Sequence, residues 1–310
     1  MIEKYYDGAI EQVAAGLGTV EKNHLLVRYS GQFSVENLND TKQLEKNEDI
    51  FVQVHEFETG EITCAYEPYL TMICDGFRRY MTGTFEEFME TCDVYYLHRP
   101  VLLGYFNQDN TGREEIILLD EVAYEQERML AALERMLCAI ADRHPVLFVL
   151  NRFQLASKST MQLTARFLKC ENCNIGLVLG VSDIQAMPEF LVPDWEMLYE
   201  TLDDGSKIYH IGNSGRKKEE TIDDEKYVDY GSEKVYRKLQ NMVEFLDFDQ
   251  AAYYLETIER KIKFDNLLVD DAARFRMWLL FVKVSILRQD IPKALEICED
   301  LEKIHLAGKE

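Results

Sequence analysis

Asn151 and Arg152 stand directly after the apolar run Val146–Leu150, and Ser182 and Asp183 close behind a second run, Ile175–Gly180. Ser30 and Gly31 follow Leu25–Tyr29, which also reads as a strand. Short runs rich in Val, Ile and Leu suit strands buried on both faces of a parallel sheet. Polar residues after such strands sit where α/β sheets bind their ligands. An amide beside a guanidinium can hydrogen-bond or pair with an anion. It cannot hold a divalent cation or take a proton from water, as a carboxylate would.

The element that positions this pair runs from His144 to Asp183 and reads strand, helix, strand. Ser157 or Ser159 can cap the helix, and Met161, Ala165 and Leu168 recur along it at helical spacing. Upstream, Met129, Leu133, Met136, Leu137 and Ile140 mark a strong helix over Glu121–Ala141.

The stretch Arg143, His144, Pro145, Val146–Leu150, Asn151-Arg152, Phe153-Gln154-Leu155, Ala156-Ser157, Ser159-Thr160 resembles the second half of the signal-transduction ATPases with numerous domains. These are AAA-like P-loop proteins common among bacterial regulators. The resemblance covers about Leu25 to Ile211 in order of elements. It implies a parallel-sheet, P-loop-NTPase-like domain. In the family two acids follow the strand; the first helps to hold Mg²⁺ and the second polarises the attacking water. Asn151 and Arg152 stand in their places. The family's phosphate loop, G-x-x-x-x-G-K-[ST], would start at Gly31. Gln32-Phe33-Ser34-Val35 follow, and then Glu36, Asn37 and Leu38 replace the second glycine, the lysine and the hydroxyl. Glu36 would repel a phosphate. The resemblance therefore implies an ATPase-like domain without its chemistry: no catalytic residue, no metal and no cofactor. If ATP or ADP is bound atypically, Gly31, Gln32, Asn37, Asn151 and Arg152 would lie nearest to it.

The net charge of −22, from 56 acidic against 34 basic residues, disfavours direct nucleic-acid binding and anionic membranes. No apolar run approaches the roughly 18 residues of a membrane helix. The acidic start MIEKYYDGAIEQV is no signal peptide, and seven scattered cysteines suggest reduced thiols in a cytoplasmic protein. Cys170-Glu-Asn-Cys173 lacks a second ligand pair at zinc-finger spacing and reads as a structural loop. His55, Glu56 and Glu58 alternate along a strand, so they do not converge as metal ligands.

Other expected elements are a helix over Glu3–Leu17, a helix Leu38–Leu44 and a strand Ile50–Val54. A helix starts at the capping box Thr84-Phe85-Glu86-Glu87, and a polar turn covers Phe106–Arg113. A short element Ile116–Leu119, a helix Trp195–Leu202 and a strand Lys207–Ile211 complete the first part. We place an ATPase-like α/β domain at 1–215, a charged linker at 216–231 and an all-α region at 232–310. In that region Asp247–Ile258 aligns with Asp290–Leu301, Ala251 with Ala294 and Glu256 with Glu299. The offset is 43 residues. This resembles a tetratricopeptide-like repeat, whose usual period is about 34 residues.

Three functions follow as expectations. The first is a catalytically inactive, ATPase-like regulatory or scaffolding protein that binds a protein partner through its C-terminal helices. The second is a nucleotide-binding switch with an atypical site, and the third an unrelated α/β enzyme.

Overall fold

The computed structural model describes residues 2–17, 24–29, 49–58, 61–109, 121–170, 173–182, 187–203, 207–211, 229–265 and 267–307. In chain order they form α1 (Ile2–Gly16), β1 (Leu25–Tyr29), β2 (Phe51–Glu56), α2 (Tyr69–Tyr80), α3 (Phe85–Thr91), α4 (Arg99–Asn107) and α5 (Val122–Ala141). Then come β3 (Val146–Asn151), α6 (Lys158–Lys169), β4 (Ile175–Ser182), α7 (Val192–Asp203), β5 (Lys207–Ile211), α8 (Glu233–Glu244), α9 (Phe248–Phe264), α10 (Asp271–Leu287) and α11 (Ile291–Ala307).

The chain forms two compact units. One comprises Met1–Glu61, Tyr66–Tyr95 and Leu130–Lys226, the other Ile62–Ala65, Tyr96–Met129 and Tyr227–Glu310. The expected division at 216–231 was a single cut, and most of that segment lies outside the described residues. Residues 62–65 and 96–129 group instead with the C-terminal helices. The contacts explain why. The Tyr105 ring meets Phe245 edge-on at 5.7 Å, Gln126 Nε2 donates to Leu246 O at 2.8 Å, and Lys238 Nζ donates to Ile62 O at 2.7 Å.

The first unit is built on a five-stranded sheet of order β2-β3-β4-β1-β5. All four pairings are parallel. β3 and β4 are buried at every position, as their uninterrupted apolar sequences require of strands covered on both faces. On one face Ile10 and Val13 of α1 pack with Leu147, Val149 and Val178. Gly176 permits this close approach, because a Cβ there would stand 2.5 Å from Val13 Cγ1. Phe148 alternates to the opposite face. There its ring meets Tyr69 at 4.7 Å, and Tyr69 meets Phe167 at 5.4 Å.

Local signals explain the helix starts. Thr84 and Glu87 form the reciprocal capping box. Of the two candidate serines, Ser157 caps α6 by accepting from Thr160 N at 3.2 Å, while Ser159 Oγ accepts from Tyr66 N at 3.0 Å. Several boundaries differ from expectation, among them that of β2, which runs Phe51–Glu56 instead of Ile50–Val54. β4 continues to Ser182, α7 begins at Val192, and Phe106 and Asn107 end a helix instead of opening a turn. The chain turns one residue later, at Gln108, which is left-handed at φ 56°. Leu38–Leu44 and Ile116–Leu119 lie outside the described residues.

In the second unit the same turn occurs twice. Leu246 and Gln289 are left-handed at φ 66° and 62°. Each precedes an aspartate that caps the next helix: Asp247 accepts from Gln250 N at 3.4 Å, and Asp290 from Lys293 N at 3.1 Å. Asp247 N donates to Met242 O at 2.7 Å and Asp290 N to Ser285 O at 2.8 Å. The two hairpins, α8/α9 and α10/α11, therefore repeat at the 43-residue offset seen in the sequence. Ala251 and Ala294 are both buried, which allows close helix crossing. Among the described residues no helix is long and apolar enough to cross a membrane.

Candidate functional site at the strand ends

The carboxyl ends of β1, β3 and β4 are neighbours in the sheet, and the chain places a polar residue at each. Tyr29 ends β1 and Asn151 ends β3, with β4 between their strands. The Tyr29 hydroxyl nevertheless reaches across and donates to Asn151 Oδ1 at 2.7 Å. The Asn151 side chain is fully buried there. Its backbone carbonyl accepts from Phe57 N at 3.1 Å, extending the ladder beyond β2.

Arg152 follows in the left-handed region, at φ 52° and ψ 41°. Its Nε lies 3.4 Å from Oε1 of Glu56, the last residue of β2. This backbone starts the tight 3-10 turn Phe153–Leu155, which puts Gln154 beside β4. Gln154 Nε2 donates to Ser182 O at 3.1 Å, and Ser182 N donates back to Gln154 Oε1 at 3.4 Å. Phe153 packs near Phe57 and Trp195, with centroids 6.1 and 6.4 Å away. Polar groups at these strand ends are thus used on one another. Glu56, the register partner of Asn151 on β2, faces a guanidinium.

Burial pushes the Tyr29 phenol up to about 12, against the opposing pull of the Arg152 guanidinium. The fold holds the neutral phenol. Its stabilisation is present in full below the ordinary value of 10.0 and is lost as pH rises through about 12. At roughly 1.4 kcal/mol per pH unit, the expected loss is about 2–3 kcal/mol. Spectrophotometric titration of the parent and of Tyr29→Phe checks this: the variant should lack one late-ionising tyrosine.

Arg152 gives a second prediction. A non-glycine residue in the left-handed region costs roughly 1 kcal/mol. Both Arg152→Ala and Arg152→Gly remove the pairing with Glu56, but only glycine removes the strain. Arg152→Gly should therefore be more stable than Arg152→Ala by about 1 kcal/mol in urea unfolding.

Of the five expected nucleotide neighbours, the structure brings Asn151 and Arg152 to the strand ends. Gly31, Gln32 and Asn37 lie outside the described residues, as does Asp183. The sequence weighs Glu56 only as a metal ligand with His55 and Glu58 and sets it aside, and it gives Tyr29 and Gln154 no role at the site. The available signal was position alone: Tyr29 and Glu56 are the last residues of β1 and β2. His55 packs edge-on against Phe57 at 4.5 Å while Glu56 turns to Arg152, so alternation does separate these side chains.

A second group lies near the amino ends of β3 and β4. Cys138, Cys170 and Cys173 place their sulfur atoms within 4.8 Å of one another. The sequence reading took Cys170 and Cys173 as a loop, because the third thiol comes from a helix 32 residues upstream. No local spacing rule connects it to the pair.

The chain matches no known family profile, and no curated protein matches it.

Proposed function

We propose that this chain is a catalytically inactive, ATPase-like scaffold that presents its C-terminal helices to a protein partner in the cytoplasm, as a regulatory module. The observation that carries the partner reading is the mismatch between equivalent positions of the two hairpins. Phe248, Ala252 and Leu255 of α9 are buried. Their equivalents at the 43-residue offset are Ile291, Leu295 and Cys298 of α11. These three are exposed, Ile291 by 48% and Leu295 by 62%. Repeat proteins bury such positions against the next hairpin. The repeat thus continues its apolar pattern on a face turned to solvent, and a helical partner would complete it. The strongly acidic composition favours a partner with basic flanks.

The lack of catalysis rests on Asn151 and Arg152, which supply neither a metal-holding carboxylate nor a base. It is supported by the Tyr29–Asn151 and Gln154–Ser182 bonds, which occupy the strand ends that a nucleotide site would need. The parallel sheet and the repeated hairpins are consistent with the ATPase-like and tetratricopeptide-like resemblances.

Two measurements test this. Calorimetric titration with Mg·ATP and Mg·ADP should give no saturable micromolar binding. Affinity capture from the source cells should retain a partner that the double variant Ile291→Glu, Leu295→Glu loses by at least tenfold, with unchanged circular dichroism. Micromolar nucleotide binding would replace the scaffold reading with the switch. Equal capture by parent and variant would remove the α11 face from it.

A further inference from the structure

We propose that Cys138, Cys170 and Cys173 form a binding site for one thiophilic divalent cation of the zinc class, independently of the scaffold reading. Three observations carry it.

The first is spacing. All three sulfur atoms lie within 4.8 Å of one another, and Cys138 Sγ is 4.0 Å from Cys170 Sγ. Tetrahedral zinc with Zn–S bonds of about 2.3 Å holds its sulfur ligands roughly 3.8 Å apart. A disulfide would draw two of these atoms to about 2.05 Å, a closure of roughly 2 Å. The observed separation stands much nearer to a shared cation.

The second is that packing sets this spacing. Cys138 lies in the last turn of α5, and Cys170 is the residue at the end of α6. One turn earlier on the same helices, Arg166 Nη1 donates to Glu134 Oε2 at 3.0 Å. Both rungs join residues 32 apart, so α5 and α6 run side by side in register. Cys173 enters from the segment leading into β4, whose first residue, Ile175, is paired with Val146. Two helices and a strand entry therefore aim the three thiols at one point.

The third is the environment. Cys173 is buried while Cys138 and Cys170 are half-buried, so the cluster is shielded yet reachable. None of the three is in a disulfide. Among the described residues no histidine, carboxylate or further cysteine joins the group. On binding, each thiol gives up its proton and the sulfur lone pair bonds the cation; no electron is transferred. The cation would fasten the ends of α5 and α6 beside the amino ends of β3 and β4.

The test uses Co²⁺ as the probe on the full chain, reduced and freed of metal by chelator. One equivalent should produce the near-ultraviolet thiolate-to-cobalt charge-transfer band and the visible bands of tetrahedral cobalt. Adding Zn²⁺ should bleach them and raise the thermal midpoint. Cys138→Ser and, separately, Cys170→Ser should abolish the bands. Cys64→Ser, at a free cysteine outside the cluster, should keep them. Using two separate variants guards against one that fails to fold, which circular dichroism will report. No charge-transfer band at equimolar Co²⁺, or an undiminished band in folded Cys138→Ser or Cys170→Ser, overturns the site. So does a disulfide among these three cysteines found by mass spectrometry in protein whose thiols are blocked at cell lysis.

Discussion

Trp278→Ala should lower the unfolding free energy of the helical unit by about 4 kcal/mol, the range for truncating a buried aromatic. Trp278 is fully buried, with Phe281 edge-on at 6.4 Å and the Arg274 guanidinium 5.5 Å over its ring. A cavity of that size inside α10 loses a large share of a typical stability of about 5–15 kcal/mol. Urea unfolding followed by circular dichroism reads the effect. Leu279→Ala, one residue on and 51% exposed, should shift stability by no more than about 0.5 kcal/mol. Trp278→Phe should be much milder than alanine. It keeps most of the packed area and removes an indole N–H that is buried without an acceptor. Equal stability of the parent and the alanine variant would contradict this account of the unit's core.

The second large effect belongs to the sheet. Phe148→Ala empties the centre of β3 on the face where Tyr69 and Phe167 converge. A loss of about 3–5 kcal/mol is expected. Tyr69→Phe separates packing from hydrogen bonding at the same place. Its hydroxyl shares a 2.6 Å bond with Thr164 Oγ1, and both side chains are buried. Losing that bond should cost about 1–2 kcal/mol. If the two variants are equally destabilised, the rings contribute little and the hydroxyl pair holds the face together.

Much of the α/β unit is legible because its signals are local. Leu25–Val27, Val146–Leu150 and Ile175–Gly180 are apolar without alternation, and that is what strands inside a parallel sheet require. Thr84 with Glu87 and Asp247 with Asp290 announce helix starts by chemistry confined to one turn. The site was legible only where a residue follows such a strand, as Asn151 and Arg152 do. The Tyr29–Asn151 bond spans 122 residues of sequence and crosses an intervening strand, so no periodicity encodes it. The grouping of Tyr96–Met129 with the C-terminal helices is illegible in the sequence for the same reason. Those contacts, such as Gln126 with Leu246, are set by packing between distant segments. Cys138 reads as one more small apolar residue on a helix until the register of α5 against α6 places it beside Cys170.

The stretch between successive turns has a consequence for whatever docks on α11. α9, α10 and α11 each hold 17 residues, about 25 Å of helix. Ordinary helices average roughly 10–14 residues, so each rod here exceeds the norm. A short linear motif would cover only the strip from Ile291 to Cys298 and leave the remaining turns wet. The rod sets a yardstick of about five turns: a ligand that fills its length must be a long helix in its own right, not a brief extended tag.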